Sequence, residues 1–309
     1  MALVSQIIAA SYAAVVAEAR KAANQWVESA FMREMERQGA IERIDFGSQI
    51  EATLDYQANP GTAFLTSSMQ PTSLAETEVV TSAVYSLAEL SVPVTWSKKT
   101  EAQNPSANQK IALVKQLVTN GIDSHDNAIE QAFFVTSTNG FLGLPTHATS
   151  TGTGSDGGID SSVDVWWGNK EATYVDDTDI ESAMTSGWNA ATKGSGSKLS
   201  PTFAVSDGDT QAIFEGTQQA NQRWIDTDEL KAGFKILGFK TTRYVFSQFG
   251  TSTIYMGNPK NLTLQVSKTF FRDRGETQEI PNANGYTFKI YSTLQFITNN
   301  RSRLAAIHV

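Results

Sequence analysis

The sequence predicts an α+β chain, and three observations carry that reading. An apolar stripe of period 3.6 runs through residues 104–136. An alternation of period 2 runs through 44–56 and again through 84–96. The last quarter is a succession of short β-rich runs parted by turn residues, so strands concentrate in one early hairpin and at the C-terminal end. No internal repeat is present.

In chain order, residues 4–38 form the first helical candidate. Val4, Ile8, Tyr12, Val15, Ala19, Ala22, Trp26 and Ala30 lie on a slowly drifting stripe, and Gly39 supplies the stop. From Ile44 the period changes: Ile44, Phe46, Ser48, Ile50, Ala52, Leu54 and Tyr56 alternate with Asp45, Gly47, Gln49, Glu51, Thr53 and Asp55. A matching run passes from Val84 through Ala88, Leu90, Val92 and Val94 to Trp96, and the tip between the runs carries Pro60, Gly61, Pro71 and many Ser and Thr. The two runs predict a long hairpin, each strand exceeding ~40 Å at roughly 3.3 Å per residue. A two-stranded ribbon is marginal in water, so its dry face needs cover from the long helix or from another copy of the chain.

The long helix is the organising element. Asn104 can cap it, and Pro105 fits the first helical position because its missing N–H costs nothing there. Ile111, Val114, Val118, Ile122, His125, Ile129, Ala132 and Phe133 share one stripe, and the phase survives Gly121. The expectation is one continuous or gently kinked helix of about 45 to 50 Å; the alternative is that Asn120-Gly121 ends one helix and Asp123 caps a second. Gly140–Pro145 follows as a compact apolar turn. Thr149–Gly158 (TSTGTGSDGG) reads as a flexible segment and the best domain boundary. Beyond Trp166-Trp167 come a helix near 177–191 with Ile180, Met184, Trp188 and Ala191 as its apolar positions, a loop at Gly194–Ser197, a strand at Thr202–Val205 after Pro201, and a helix at Asp209–Ala220. The β-rich runs cover 234–248, 252–257, 262–267, 285–297 and 303–309.

Composition narrows the function. At 309 residues there is ample material for a core. A net charge of −8, with Lys98-Lys99 as the longest basic run, argues against a protein that wraps DNA directly. Without cysteine there is no disulfide, thiolate nucleophile or thiolate metal site, and three scattered histidines (His125, His147, His308) leave little for metal or acid–base work. Met1–Ala14 has no basic flank and is interrupted by Ser5, Gln6 and Ser11. It reads as neither a membrane span nor a signal peptide, so an intracellular product is expected.

Candidate chemistry stays weak at each place. Gly152-x-Gly154-x-x-Gly157 matches a dinucleotide fingerprint by letters, but no strand precedes it and no helical stripe follows, so a linker is the better reading. Asp176, Asp177, Asp179 and Glu181 suit the first turn of a helix through the macrodipole, without the glycine or histidine of a metal loop. Asp207-Gly-Asp209 reads as a turn and cap. His125, on the buried stripe, reads as a satisfied core histidine. No G-x-S-x-G elbow and no H-E-x-x-H pair occur, so no catalytic, cofactor-binding or metal residue is assigned. Asn261-Leu-Thr263 and Asn300-Arg-Ser302 spell glycosylation acceptors that carry no weight without a secretory signal. Arg272, Arg274, Arg301 and Arg303 are expected in inter-subunit salt bridges or solvated turns.

With the elements in order, the chain resembles the major capsid proteins of tailed bacteriophages, the Hong Kong 97-type fold. Familiar in type are Asn127–Pro145 (NAIEQAFFVTSTNGFLGLP), Val165-Trp-Trp-Gly-Asn169, Thr253–Leu264 (TIYMGNPKNLTL) and Leu294–His308 (LQFITNNRSRLAAIH). The resemblance covers nearly the whole chain, although its motifs are diffuse. It implies an N-terminal arm over 1–41, an extended two-stranded loop over 42–103, the spine helix and start of a peripheral domain over 104–148, a mainly axial domain over 149–250, and β-rich return strands over 251–309.

The function this implies is structural. Copies would assemble as hexamers and pentamers into an icosahedral shell in the host cytoplasm, enclosing double-stranded DNA without sequence-specific binding. The hairpin would bury its dry face on a neighbouring subunit. A separate scaffolding protein, a portal and a decoration protein are the implied partners; the start at Met1, so close to the arm, favours a separate scaffold. No Lys–Asn cross-link, cofactor or membrane contact is expected. Encapsulins, bacterial shells of the same fold, are one alternative reading. A phage tail or adhesion protein is a second, and an intracellular enzyme, which would require a pocket of converging polar groups, is the one from a different class.

Overall fold

The computed structural model describes residues 30–45, 47–59, 61–62, 64–67, 78–103, 107–136, 140–194, 198–218 and 237–309. The chain runs through α1 (Ala30–Arg37), β1 (Ile41–Ile44), β2 (Gln49–Asp55), β3 (Val80–Ser86), β4 (Ala88–Ser97), α2 (Lys98–Gln103), α3 (Ala107–Phe134) and α4 (Leu144–His147). Next come β5 (Ser155–Asp156), β6 (Ile159–Asp160), β7 (Lys170–Thr173), α5 (Ile180–Thr192), β8 (Phe203–Ser206) and α6 (Gly208–Gln218). The last part holds β9 (Leu237–Phe239), β10 (Thr242–Phe246), β11 (Ile254–Gly257), β12 (Leu262–Ser267), β13 (Asp273–Arg274), β14 (Gln278–Glu279), β15 (Gly285–Thr298) and β16 (Ala305–His308). Most of the expected α+β order is present.

Helix α3 is continuous through Gly121, which decides between the two expectations for that position. The cap at Asn104-Pro105 and the side chains of Ile111 and Val114 lie outside what is described. Val118, Ile122, His125, Ile129 and Phe133 are all buried, as the stripe requires. Val118 and Ile122 lie on Val94, Trp96, Phe288 and Ile290. Ile129 and Phe133 enter the largest core with Phe31, Phe203, Leu264 and Phe296, where the Phe133 ring meets Phe31 edge-on at 5.0 Å and Phe296 at 4.8 Å. Gly121 is there for approach rather than termination: a Cβ would sit 2.8 Å from Val94 Cγ2 and 3.2 Å from Ile290 Cδ1. Gly121→Val should lift the helix from the sheet and destabilise the unassembled chain by about 1–3 kcal/mol, read from the denaturant midpoint.

Two six-stranded sheets carry most of the rest, beside the two-stranded β2–β3 and β5–β6 ladders. In the first, β15 is the hub: β12 and β4 flank it, β13 and β14 also pair with it, and β1 joins the outer edge of β12 in parallel. The second has the order β7-β16-β11-β8-β10-β9, in which β7, β16, β8 and β10 run one way and β9 and β11 the other. Helices α5 and α6 cover one face of it, with Ile180, Met184, Ala191 and Phe214 packed on Tyr244, Ile254 and Ile307. The expected helix at 177–191 begins three residues later, because Asp177–Asp179 form a 3-10 turn first.

The expectations for the hairpin and the glycine-rich connection need correction, and the first helix is described in part. Of the helix expected over 4–38, the described part is α1, whose Phe31 and Met32 amides donate to the Glu130 carboxylate. Residues 4–29 lie outside the described residues, and Gly39 ends the helix as expected, with φ +71° and the Ala40 N–H on the Met35 carbonyl at 2.8 Å. The long hairpin is shorter than its alternation implies. β2 and β3 pair from Gln49–Ser86 to Asp55–Val80, about 23 Å at the usual rise, while β4 leaves at Leu87 and pairs with β15 from Ala88 to Ser97. The dry face changes phase at the break, from Ala83 and Tyr85 in β3 to Val94 and Trp96 in β4, so Val84, expected on the dry face, is a half-buried residue between the two that face inward.

Thr149–Gly158, expected as a flexible boundary, is a packed connection. Gly157 and Gly158 turn β5 into β6 with φ of +60° and +80°, and a Cβ on Gly157 would fall 2.7 Å from Ala83 Cβ. The glycines there allow positive φ and close approach to β3, whose Val84 N–H donates to the Gly157 carbonyl at 2.9 Å.

Candidate assembly surfaces and buried polar nodes

The hairpin brings a further correction. Its dry face, expected to find cover on a neighbouring subunit, is covered at home: Ile50, Leu54, Ala83 and Tyr85 are buried against Trp167 and Ile297, with Trp166, Leu142 and Ile159 beside them. Trp167 is fixed by its indole N–H on the Asp156 carbonyl at 3.0 Å, and Trp166 stacks on Tyr56 at 5.0 Å. Among the described residues between β2 and β3, Phe64 is fully exposed and Leu65 partly so. Val163, Val165, Val175, Phe246 and Phe270 are exposed elsewhere. Apolar side chains exposed in this way on the hairpin connection and on other loops are candidate contacts with other chains.

Two buried polar nodes hold the elements together. Glu130, fully buried on α3, accepts from the Phe31 and Met32 amides at 3.1 and 3.0 Å and from the Ser247 hydroxyl at 2.7 Å. It thereby caps α1 and ties it to the spine and to the turn after β10. Burial pushes its carboxyl above the usual glutamate range, against the pull of the Ser247 hydroxyl and the two amides.

The second node is Arg301, also fully buried. Its guanidinium donates to the carbonyls of His147 at 2.9 Å, Gly154 at 2.6 Å and Thr146 at 3.2 Å, and to the Ser161 hydroxyl at 3.2 Å. Asp156 lies 3.9 Å away, and its carboxylate is 2.8 Å from His147 Nδ1. Burial pulls the guanidinium below its usual range, and the Asp156 charge opposes that shift. The expectation that Arg272 and Arg301 serve solvated turns or inter-subunit bridges is therefore corrected. Arg301 is an internal clamp, and Arg272 pairs with Asp126 on α3.

The other singled-out residues fall as follows. His125 is a satisfied core histidine, its Nε2 2.7 Å from Ser292 Oγ and its Nδ1 3.1 Å from Asp126. Asp207 accepts from the Thr210 amide at 2.8 Å as the cap of α6. Asp176, Asp177 and Asp179 are exposed ahead of α5, and Arg303 donates to the Thr192 carbonyl at 2.6 Å. Lys98 pairs with Glu279. Among the described residues no group of three His, Asp or Glu could hold a metal, and no helix is long and apolar enough to cross a membrane. A groove of about 480 Å³ between β2 and the β1–β12 edge is lined by Gln38, Glu42, Glu51, Thr53, Lys260 and Asn299, without a nucleophile beside a base.

Sequence reading missed Glu130 and Arg301. Glu130 left one signal, a carboxylate on the border of the apolar stripe. Arg301 left none, since its partners lie about 150 residues back along the chain.

No protein-family model matches the sequence, and no curated protein does. Solved structures do match in shape. The capsid subunit of cyanophage A-1(L) aligns with a TM-score of 0.61 at 15% identity, over 86% of this chain and 89% of that one. The capsid of a native GTA particle aligns with a TM-score of 0.60 at 12% identity, over 88% of each chain. The SrpI encapsulin of Synechococcus elongatus PCC 7942 aligns with a TM-score of 0.56 at 8% identity, over 87% of this chain and 84% of that one. Identities this low speak to fold alone, and over 86–88% of the chain that fold is the α+β, Hong Kong 97-type fold of phage capsid subunits.

Proposed function

We propose that this chain is the major capsid protein of a tailed double-stranded-DNA bacteriophage, assembling as pentamers and hexamers into an icosahedral shell. The observation that carries the reading is the likeness in shape to phage and GTA capsid subunits over 86–88% of the chain. It is supported by the exposed Phe64 and Leu65 between β2 and β3, which suit a contact with a neighbour. An acidic chain suits a container that holds DNA without gripping it. On this reading 1–41 is the arm, 42–103 the extended loop, 104–148 the spine and start of the peripheral domain, 149–250 mainly the axial domain and 251–309 the return strands. The role is structural rather than catalytic, the place is the virion, assembly occurs in the host cytoplasm, and the partners are a scaffolding protein, a portal and a decoration protein.

The encapsulin reading shares the fold and gains no observation of its own over the phage capsids. The experiment is size-exclusion chromatography and negative-stain electron microscopy of the chain expressed alone and with its scaffold gene. Closed shells or rings of five or six subunits are expected, and a shell packed with enzyme cargo instead of DNA would move the assignment to an encapsulin. A monodisperse monomer in both preparations would overturn the capsid reading.

A further inference from the structure

The second sheet has chemically opposite ends. Because β7, β16, β8 and β10 are parallel, their C-terminal ends emerge together, and the segments that leave β7 and β8 lead into α5 and α6. That end comprises residues 173–181, 206–212, 246–254 and 308–309. Among the described residues it carries Asp176, Asp177, Asp179, Glu181, Asp207 and Asp209, and no Lys or Arg. Asp207 is used as a cap, whereas the other five form no ion pair with another described residue. Amid these acids, Val175 and Phe246 stand exposed, an apolar centre with a charged rim.

The N-terminal ends of the same strands carry the opposite sign. Lys170 opens β7 and Arg303 precedes β16. Lys193 and Lys198 follow α5, and Lys240 sits in the β9–β10 turn with its Nζ 4.3 Å over the Trp188 ring. Glu171, next to Lys170, is an acid at the same end. Arg303 and Lys170 crowd Lys193 closely enough that, after burial, they are what pull its ammonium below the usual range. At the other end Asp177 and Asp207 together reinforce the upward push that burial gives the Tyr174 hydroxyl, which places the two acidic segments around one spot. Like charges held together within one chain gain by meeting the opposite cluster of another copy.

Resting on the capsid reading, we propose that these two ends meet in the assembly. The acidic end of the second sheet in one copy docks against the basic end in the next, a heterologous head-to-tail contact of the kind that closes a ring.

The test uses the full chain with its scaffold and four variants: Asp176→Lys/Asp177→Lys/Asp179→Lys, Lys170→Glu/Lys193→Glu/Lys240→Glu, the two sets combined, and the neutral Asp176→Asn/Asp177→Asn/Asp179→Asn. Circular dichroism checks folding, and assembled mass is read by light scattering and electron microscopy. Each reversal alone should lower the yield of rings and shells at least tenfold, and the combined variant should recover assembly. The neutral variant, which keeps the side-chain shapes, should assemble less well and with a shallower salt dependence. Wild-type shells with undiminished assembly of the reversed or neutral variants would overturn this contact and leave the capsid reading standing. Folded single reversals that fail and are not rescued in combination would also overturn it. Absence of wild-type assembly would overturn both.

Discussion

Substituting Glu130 by alanine is expected to destabilise the unassembled chain by about 3–5 kcal/mol, read as a lower denaturant midpoint at unchanged slope. The carboxylate is the shared acceptor of two amides at the start of α1 and of the Ser247 hydroxyl. Truncation leaves three buried donors facing an apolar void among Phe31, Ile129 and Phe133. Glu130→Gln should cost less, because its carbonyl still accepts while its amide faces an N–H that has nothing to donate to. The two variants also differ in pH dependence. Burial raises the folded-state value of Glu130 above its ordinary 4.5, so the folded chain holds a proton that the unfolded chain has released. The stability gained from that proton is complete below 4.5 and is lost as the pH rises through the folded value. Glutamine does not titrate, so the deficit of Glu130→Gln relative to wild type should narrow with rising pH across that window. A deficit that stays constant would show that burial does not raise the carboxyl in the folded chain, and an alanine variant as stable as wild type would remove Glu130 as the node that holds α1.

Much of this architecture was legible one residue at a time, and the reason is local periodicity. Val118, Ile122, His125, Ile129 and Phe133 announce a spine helix because every one of them faces the same sheet. The alternation at Ile50 to Leu54 announces a strand for the same reason, whereas the run expected from Val84 is one residue out of phase with β3, whose inward side chains are Ala83 and Tyr85. What periodicity does not carry is partner identity. Ile44 and Ile50 lie in one alternating run yet belong to different ladders, since β1 pairs with β12 and β2 with β3. Val84 and Val94 are parted in the same way, and the hairpin's dry face found its cover in Trp167 and Ile297, far along the chain. Gly152 to Gly158 misled by composition: glycine serves a flexible linker and a tight positive-φ turn equally well, and only the approach of Ala83 decides between them. Glu130 and Arg301 are the extreme case, polar residues whose worth lies wholly in contacts remote in sequence.

Arg301 carries the second large expectation. Arg301→Met keeps most of the side-chain volume and removes the charge and every donor, leaving the carbonyls of Thr146, His147 and Gly154 turned toward a thioether and Asp156 without its neighbouring cation. Breaking a buried charged network from one side costs about 3–5 kcal/mol, because the partner charge stays buried. Arg301→Lys keeps the charge but supplies one ammonium where a planar fork reached three carbonyls on different strokes of the 146–154 turn, so it should recover only part of the loss. The damage should also be local before it is global. Arg301 is what binds that turn to the end of β15, and the same turn leads into β5 and β6, which cover Ala83 and Tyr85 on the hairpin. Hydrogen exchange on Arg301→Lys should therefore rise first at 149–161 and at the hairpin amides near Val84, with α3 and β12 protected as in wild type. Uniform exchange across the chain would show instead that Arg301 stabilises the whole fold, and that the hairpin keeps its position without this clamp.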